Sequence, residues 1–590
     1  MEREIRPAEN KTCQNCKQEF RIEPEDFLFY QKIEVPPPTF CPECRMIRRF
    51  AFRNERFLFR RKDDVSGKEI FSEIPPQTGA KIYEHDYWWS DKWDPMAYGR
   101  KYDFSRSFFE QFYELMYSVP WPSRNAFNLI NSDYANNAGN LKNCYLCFDS
   151  GSSQDCAYIV DAFSQKNCFD ITGSSNGELC YDSTLIENCY QTFYSINCVK
   201  CSEVWFCRDV DGCSNCFGCA NLRNKQYYIF NKPYSKEEYS EKIKELALGS
   251  FRSFNQAKEQ ALNLWKSVPY EFMSESSNVN VSGDLIAHSK NALVCYNITD
   301  VEDSKFCQHL FRGVSDSYDF TNWGDKCELM YEVFGSGLGC RNIKFSLDCW
   351  PSDRDIEYCV KCKSASNLFG CVSLSKKSYC IFNKQYEKGE YESLKAKIIE
   401  QMKKVSYVDK SGNVYNYGEF FPFEFSPFAY NESQAQDYFP LTKETAAQKG
   451  YVWREPEAKE YKTTLDSKDL PDAIQDVTQS ITNEIIKCAM CAKAYRVIAS
   501  EFGFLQSNNL PLPRVCQNCR YMERIALRNK PVLYMGKCQC AGEGSSNGVY
   551  ENQGKHSHGA TPCSHEFQTS YSLDRPEIVY CKECYQSEVL

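Results

Sequence analysis

Two cysteine frames carry the clearest chemistry in this 590-residue chain. Cys13-x-x-Cys16 is followed after 24 residues by Cys41-x-x-Cys44, and the frame returns as Cys488-x-x-Cys491 and Cys516-x-x-Cys519. A two-residue spacer lets both sulfurs of a knuckle face one ion, and two knuckles complete the tetrahedral donor set of a structural zinc. Such a closed thiolate site leaves no position for water, so its expected role is to hold structure rather than to catalyse. The offset of 475 between the copies also relates Arg45 to Arg520, Arg49 to Arg524, Ala51 to Ala526, Arg53 to Arg528 and Asn54 to Asn529. The module is duplicated.

A third group of ligand types lies at the C-terminus. Cys538, Cys540, Cys563, Cys581 and Cys584 offer five thiols for four positions on a third zinc, with His556, His558 and His565 nearby. Cys581 and Cys584 form the secure pair. The segment around Glu69 and Tyr83 aligns with that around Glu566 and Tyr580 at an offset of 497, which puts Glu84 and Tyr87 where Cys581 and Cys584 stand. The N-terminal copy is expected to keep this fold without this metal.

These ligands need elements to place them. The stretch between the N-terminal knuckles reads as short strands and a Pro-rich turn, and "RMIRRFAFRN" after Cys44 reads as a helix. The middle of the chain has another rhythm. "KNCYLC", "KNCFDI", "ENCYQT" and "SNCFGC" place Cys144, Cys168, Cys189 and Cys216 about two dozen residues apart, interleaved with Cys156, Cys180 and Cys201. Short Cys-aromatic pulses between Asn, Asp, Gly and Ser clusters read as strands and tight turns. A period of about 20–25 residues with two pulses predicts a parallel β-helix. Cysteine, a small soft hydrophobe, would ladder along its interior, and the preceding Asn would ladder at the bends. The rival reading is a chain of metal sites, which spacings such as Cys198/Cys201 and Cys213/Cys216/Cys219 permit. The solenoid is itself repeated at an offset of 152, where Cys216 becomes Leu368. Leucine can replace a core residue but not a thiolate ligand, which favours packing.

The expected fold is therefore mainly β: two parallel β-helix blocks with capping helices, flanked by zinc modules. The boundaries read as a zinc module over 1–62, a Trp-rich segment over 63–123, solenoid block 1 over 124–233, a helical cap over 234–275, solenoid block 2 over 276–385 and a helical cap over 386–407. An aromatic and Pro-rich strap with a linker fills 408–487, and 488–590 holds the second zinc module with the extra cluster. Ser235 and Glu238 make a capping box for the first cap.

Composition narrows the function. A net charge of −9 argues against a globally basic nucleic-acid coat. The first residues, "MEREIRPAENKTC", carry no apolar run of the kind a secretory signal needs, and no stretch has the ~18 apolar residues of a membrane span. Thirty-four cysteines in such a chain point to a reducing, cytoplasmic setting and to metal rather than disulfides.

Knuckle, hairpin and helix together resemble a treble-clef or zinc-ribbon module, similar to a probable zinc-ribbon family of small bacterial proteins. The whole layout, with the strap and the ending "RPEIVYCKECYQSEV", resembles multi-zinc proteins of small-genome bacteria. That resemblance implies a fold and no activity. Three functions follow. The first is a non-enzymatic, zinc-stabilised scaffold for a macromolecular partner. The second is association with nucleic acid or the ribosome through a helix over Arg45–Arg61, where arginines alternate with Phe50, Phe52, Phe57 and Phe59. Glu523 in place of Arg48 weakens this role in the second copy. The third is a carbohydrate-active β-helix enzyme using Trp88, Trp89 and Trp93 as a sugar platform, although the sequence names no catalytic residue.

Overall fold

The computed structural model describes residues 6–455 and 461–589. The chain is mainly β, with two β-solenoids and cysteine groups towards both ends. It divides into two compact units that do not follow chain order. One unit joins the segment ending at Arg124 to Met273–Glu455 and the short stretch Lys530–Leu533, so the N-terminal module belongs with the second solenoid. The other joins Asn125–Phe272 to the segments ending at Asn529 and beginning at Tyr534, so the C-terminal module belongs with the first.

Each solenoid is a stack of parallel rungs. In the first, Phe169 pairs with Tyr181 and Ser202 with Ser214, which sets a rung of 12 residues. The 20–25-residue period read from the sequence therefore spans two rungs. The Asn-Cys pair marks only some of the corners, and Asp155 or Leu179 occupies others.

A triplet rule builds the rung. Along Asn137, Asn140, Asn143, Leu146 and Asp149, every third residue has φ between 44° and 56°. Left-handed corners of this kind suit Asn and Asp, whose short polar side chains bond locally. The residue after most corners points inward, exposed Lys225 and Lys326 being exceptions, and every cysteine of both solenoids follows a residue at positive φ. Corner side chains bond from rung to rung: Asn143 donates to Asp155 at 2.8 Å, and Asn176 to Asn188 at 3.0 Å.

The inward thiols form a ladder. Cys168 Sγ lies 3.2 Å from the Lys166 carbonyl and 3.4 Å from that of Gly177, while accepting from the Cys180 amide at 3.4 Å. Ser195 makes the same contacts with the Phe193 carbonyl and the Cys207 amide. The position thus takes a small side chain that donates along the rung and accepts from the next. Burial pushes the Cys168, Cys180 and Cys207 thiols up, which keeps them protonated and inert.

The second solenoid follows the same plan with four 13-residue rungs, as Lys305 pairs with Tyr318, Tyr318 with Tyr331, Tyr331 with Lys344 and Lys344 with Glu357. Aromatic helices cover the stacks. Phe108 of helix Phe108–Ser118 packs on Phe369 at 5.3 Å in one unit, and Phe254 of helix Phe251–Trp265 packs on Phe206 at 5.0 Å in the other. The helix Lys236–Glu245 opens with the expected box: the Glu238 amide donates to Ser235 Oγ, and the Ser235 amide donates to Glu238.

Candidate metal centres and the clamps beside them

The first knuckle sits in the turn of an antiparallel hairpin, Glu9–Thr12 with Glu19–Ile22. The second opens helix Pro42–Phe50, whose N-cap is Cys41 with Pro42 at the first helical position. Between them lies a helix, Pro24–Lys32, where short strands had been expected. Pro24 starts it, and Glu25 and Asp26 lie in its first turn, where acidic side chains favour a helix N-terminus. The helix after the second knuckle ends at Phe50, so the residues from Arg53 to Arg61 are not a continuation of it.

Cys13, Cys16, Cys41 and Cys44 have their sulfurs within 4.8 Å of one another, and so do Cys488, Cys491, Cys516 and Cys519. Cys16–Cys41 and Cys491–Cys516 are 3.7 Å apart and Cys488–Cys519 3.8 Å. An ion holding four sulfurs tetrahedrally at ~2.3 Å needs edges of about 3.8 Å, so the donor sets fit such an ion. Backbone amides aid the charge this requires. The Cys41 amide donates to Cys13 Sγ and the Cys516 amide to Cys488 Sγ, each at 3.3 Å. Burial alone would raise the Cys488 thiol, yet the amides of Cys491, Cys516 and Met490 outweigh it and lower the thiol to about 7.

The C-terminal group resolves into two overlapping sets. Cys538, Cys563, Cys581 and Cys584 form one, and Cys540, His556, His558 and Cys584 the other. Cys538 directly follows the hairpin strand Tyr534–Lys537, and its sulfur accepts from the Cys581 amide at 3.2 Å. The N-terminal copy has the same hairpin in the same register: Phe59 faces Ser72 as Tyr534 faces Thr569. There Asp63 stands in the place of Cys538 and accepts from the Glu84 amide at 2.9 Å and the Ser66 amide at 2.6 Å. Burial opposes the charge on Asp63, but the Ser66, Glu84 and Val65 donors hold its carboxyl below the usual range. A carboxylate thus accepts the amide that a thiolate accepts in the other copy. Glu84 caps the following short helix by accepting from Asp86 and Tyr87.

Thiol sites of the solenoids join none of the metal-capable groups found among the described residues. The thirteen terminal cysteines all do.

The arginines after the second knuckle are the functional residues whose partners were not legible. Arg45, Arg48 and Arg49 are 1%, 3% and 0% exposed. Arg45 Nε donates to Asp319 at 3.0 Å, and Arg49 Nη1 reaches Asp319 at 3.0 Å and Glu332 at 2.9 Å. Arg48 Nη2 donates to Glu332 at 2.7 Å and to Glu419 of the aromatic strap at 3.2 Å. Arg49 Nε also donates to Thr321 Oγ1 at 3.0 Å. The second copy repeats the arrangement inside its own unit: Arg520 donates to Asp170 at 2.8 Å, Arg524 to Thr172 at 3.2 Å and to Asp182 at 2.6 Å. A signal for this clamp was present. "FDIT" at 169–172 and "YDFT" at 318–321 place Asp and Thr two apart on one face of a rung, at an offset of 149. The three 13-residue rungs that follow Tyr318 carry that offset to the 152 seen further on.

Beyond the helix, Arg53 pairs with Glu55, Arg56 with Asp437 and Arg60 with Glu69, while Arg61 donates to the Ala80 carbonyl at 2.8 Å. The tryptophans are also engaged. Trp88 Nε1 donates to the Pro120 carbonyl and Trp93 Nε1 to that of Trp88. The Lys363 amine lies 3.9 Å from the centre of the Trp88 ring and against Trp89. The chain's own lysine thus occupies ring faces of Trp88 and Trp89, while Trp89 keeps an exposed side.

The chain matches no protein-family model and no curated protein. Among the described residues, no helix is long and apolar enough to cross a membrane.

Proposed function

We propose that the protein is a zinc-stabilised, non-enzymatic scaffold. In this reading, each terminal module clamps a solenoid and leaves the regular solenoid faces for a macromolecular partner. The observation that carries it is the burial of Arg45, Arg48 and Arg49 on solenoid and strap carboxylates, repeated by Arg520 and Arg524. Zinc is the ion of choice because four sulfurs at tetrahedral spacing are its ordinary structural donor set. Each four-sulfur group supplies every position from within the chain, so the ion would fold the module and not activate a water. Bound zinc would contribute folding free energy to a knuckle that has little core of its own.

Recovery of the tagged full chain from native cells, with and without nuclease, tests the scaffold reading. The expected result is a defined protein partner retained at the same level after nuclease treatment. A partner set that vanishes with nuclease would replace this reading by nucleic-acid or ribosome association. Phosphate binding would then have to use arginines outside the buried helix face.

A further inference from the structure

The C-terminal copy differs from the N-terminal one by an insertion. Between the two hairpin strands lie 63–68 in one and 538–565 in the other. The longer loop brings Cys540, His556 and His558 to the cluster, where Cys584 already belongs to the four-sulfur group. The sequence offers five thiols for four positions. The geometry counts differently.

We infer that this cluster is a two-metal site in which the Cys584 thiolate bridges two ions. Cys538, Cys563 and Cys581 complete one tetrahedron, and Cys540, His556 and His558 complete the other. Seven donors fill eight positions only if one is shared, and Cys584 is the donor common to both sets. A bridging thiolate has the lone pairs for this, and a cysteine on the first turn of helix Lys582–Val589 is held at a fixed place between both donor sets.

The histidine orientations support the second ion. His556 Nε2 is 2.7 Å from Glu588 Oε1, and both side chains are out of solvent. Cys540 Sγ lies 3.7 Å from Nδ1 and 3.8 Å from Nε2, and the carboxylate decides between them: it holds Nε2 protonated and leaves Nδ1 as the ligating nitrogen. His558 makes the opposite choice. Its Nδ1 donates to the Thr561 carbonyl at 2.6 Å, which leaves Nε2 at 3.7 Å from Cys540 Sγ and 3.2 Å from Cys584 Sγ. Edges near 3.5 Å are what sulfur and nitrogen show on one ion with bonds of ~2.3 and ~2.0 Å. A carboxylate–histidine–metal relay and a carbonyl-anchored histidine are the usual outer supports of such sites. Asn552 completes them by donating to Cys540 Sγ at 3.3 Å and to Glu588 at 3.0 Å. Glu588 also accepts from the Gln553 and Gly554 amides, which ties the inserted loop to the C-terminal helix.

Charge favours two ions over one. A single dication held by the Cys538, Cys563, Cys581 and Cys584 thiolates leaves two negative charges, whereas a second dication with the Cys540 thiolate and two neutral imidazoles leaves one. The inference rests on the zinc reading above, but its test separates the two. Native mass spectrometry of the full chain loaded with zinc alone should find four ions, and His558→Ala and Cys540→Ser should each find three. X-ray absorption at the zinc edge should show a metal–metal vector of about 3.5–4 Å, absent from His558→Ala. Three ions in the wild type, unchanged in His558→Ala and without that vector, would overturn the second ion and leave structural zinc standing. Four ions without the vector would overturn the bridge. Fewer than two ions would overturn the zinc reading itself.

Discussion

Arg49 and Asp319, 270 residues apart in the chain, meet at 3.0 Å with neither side chain exposed to solvent. An ion pair taken out of water is stabilising only where other bonds share the desolvation, and here Thr321 and Glu332 join in. The contact fixes the helix on one rung of the solenoid, because Asp319 and Thr321 lie two residues apart on the same face.

Removing the cation should therefore be costly. Arg49→Met leaves Asp319 and Glu332 buried without one of their partners, and a loss of about 3–5 kcal/mol is expected. Arg524→Met should do the same to the other unit through Asp170 and Asp182. Thermal and urea unfolding of the full chain checks both. A loss under about 1 kcal/mol, the value of an exposed pair, would mean that the pairs do not clamp.

Solenoid and terminal thiols should part company on mutation. Cys168→Ala is expected to cost on the order of 1 kcal/mol and release no metal, and Cys168→Ser less, because Ser195 fills an equivalent position. Cys41→Ala should release one zinc and unfold its module. Metal analysis alongside melting separates the cases, and zinc lost from Cys168→Ala would assign a ligand role to the ladder.

The corners predict an asymmetry at the surface. Asn143 is exposed at φ 53°, and Asn143→Val should destabilise by ~1–2 kcal/mol, since a branched side chain resists this region. Asn143→Gly should lose less, because glycine adopts the corner freely and forfeits only the exposed side-chain bonds from Asn131 and to Asp155. Equal losses for the two variants would show that the side-chain ladder, not the backbone, sets the cost.

Lys363 gives stability a pH slope. Burial, then repulsion from Lys361, lowers its amine to about 6, well under the ordinary value for lysine. Folding thus expels a proton between pH 6 and 10.5, and the contribution of this residue is full at high pH and lost as pH falls through that window. Asp353, lifted to about 7 by burial, is largely ionised above pH 7 and adds little slope there. Between pH 7 and 9 the wild type should gain up to roughly 1.4 kcal/mol per unit relative to Lys363→Met. Parallel stability curves would show that the amine stays charged among the tryptophans.

Much of this architecture could be read from residue types. The Asn-Cys pairs marked left-handed corners followed by inward sulfurs, and the duplicated knuckles marked four-sulfur groups. The rung length escaped because Leu, Lys, Tyr and Phe also occupy corners, as at Leu179 and Lys200, so the polar signal skips rungs. The helix Pro24–Lys32 escaped because its aromatic run has strand propensity, while Pro24 and the acidic first turn were the better guide. The arginines were read by their charge alone. Which anion they meet depends on Asp319 and Asp170, hundreds of residues away, and only a matching "FDIT" and "YDFT" hinted at it. The histidines of the inserted loop likewise gain meaning only when Glu588 and Thr561 set their tautomers.

The central claim is that metal in a terminal module holds a solenoid clamped. Hydrogen exchange of the full chain, compared between wild type and Cys41→Ala, tests it most directly. Faster exchange is expected in helix Pro42–Phe50 and also in the rungs carrying Asp319 and Glu332, with the rungs around Asp170 and Asp182 unchanged. Faster exchange confined to the knuckles, with the Asp319 and Glu332 rungs as protected as before, would contradict it.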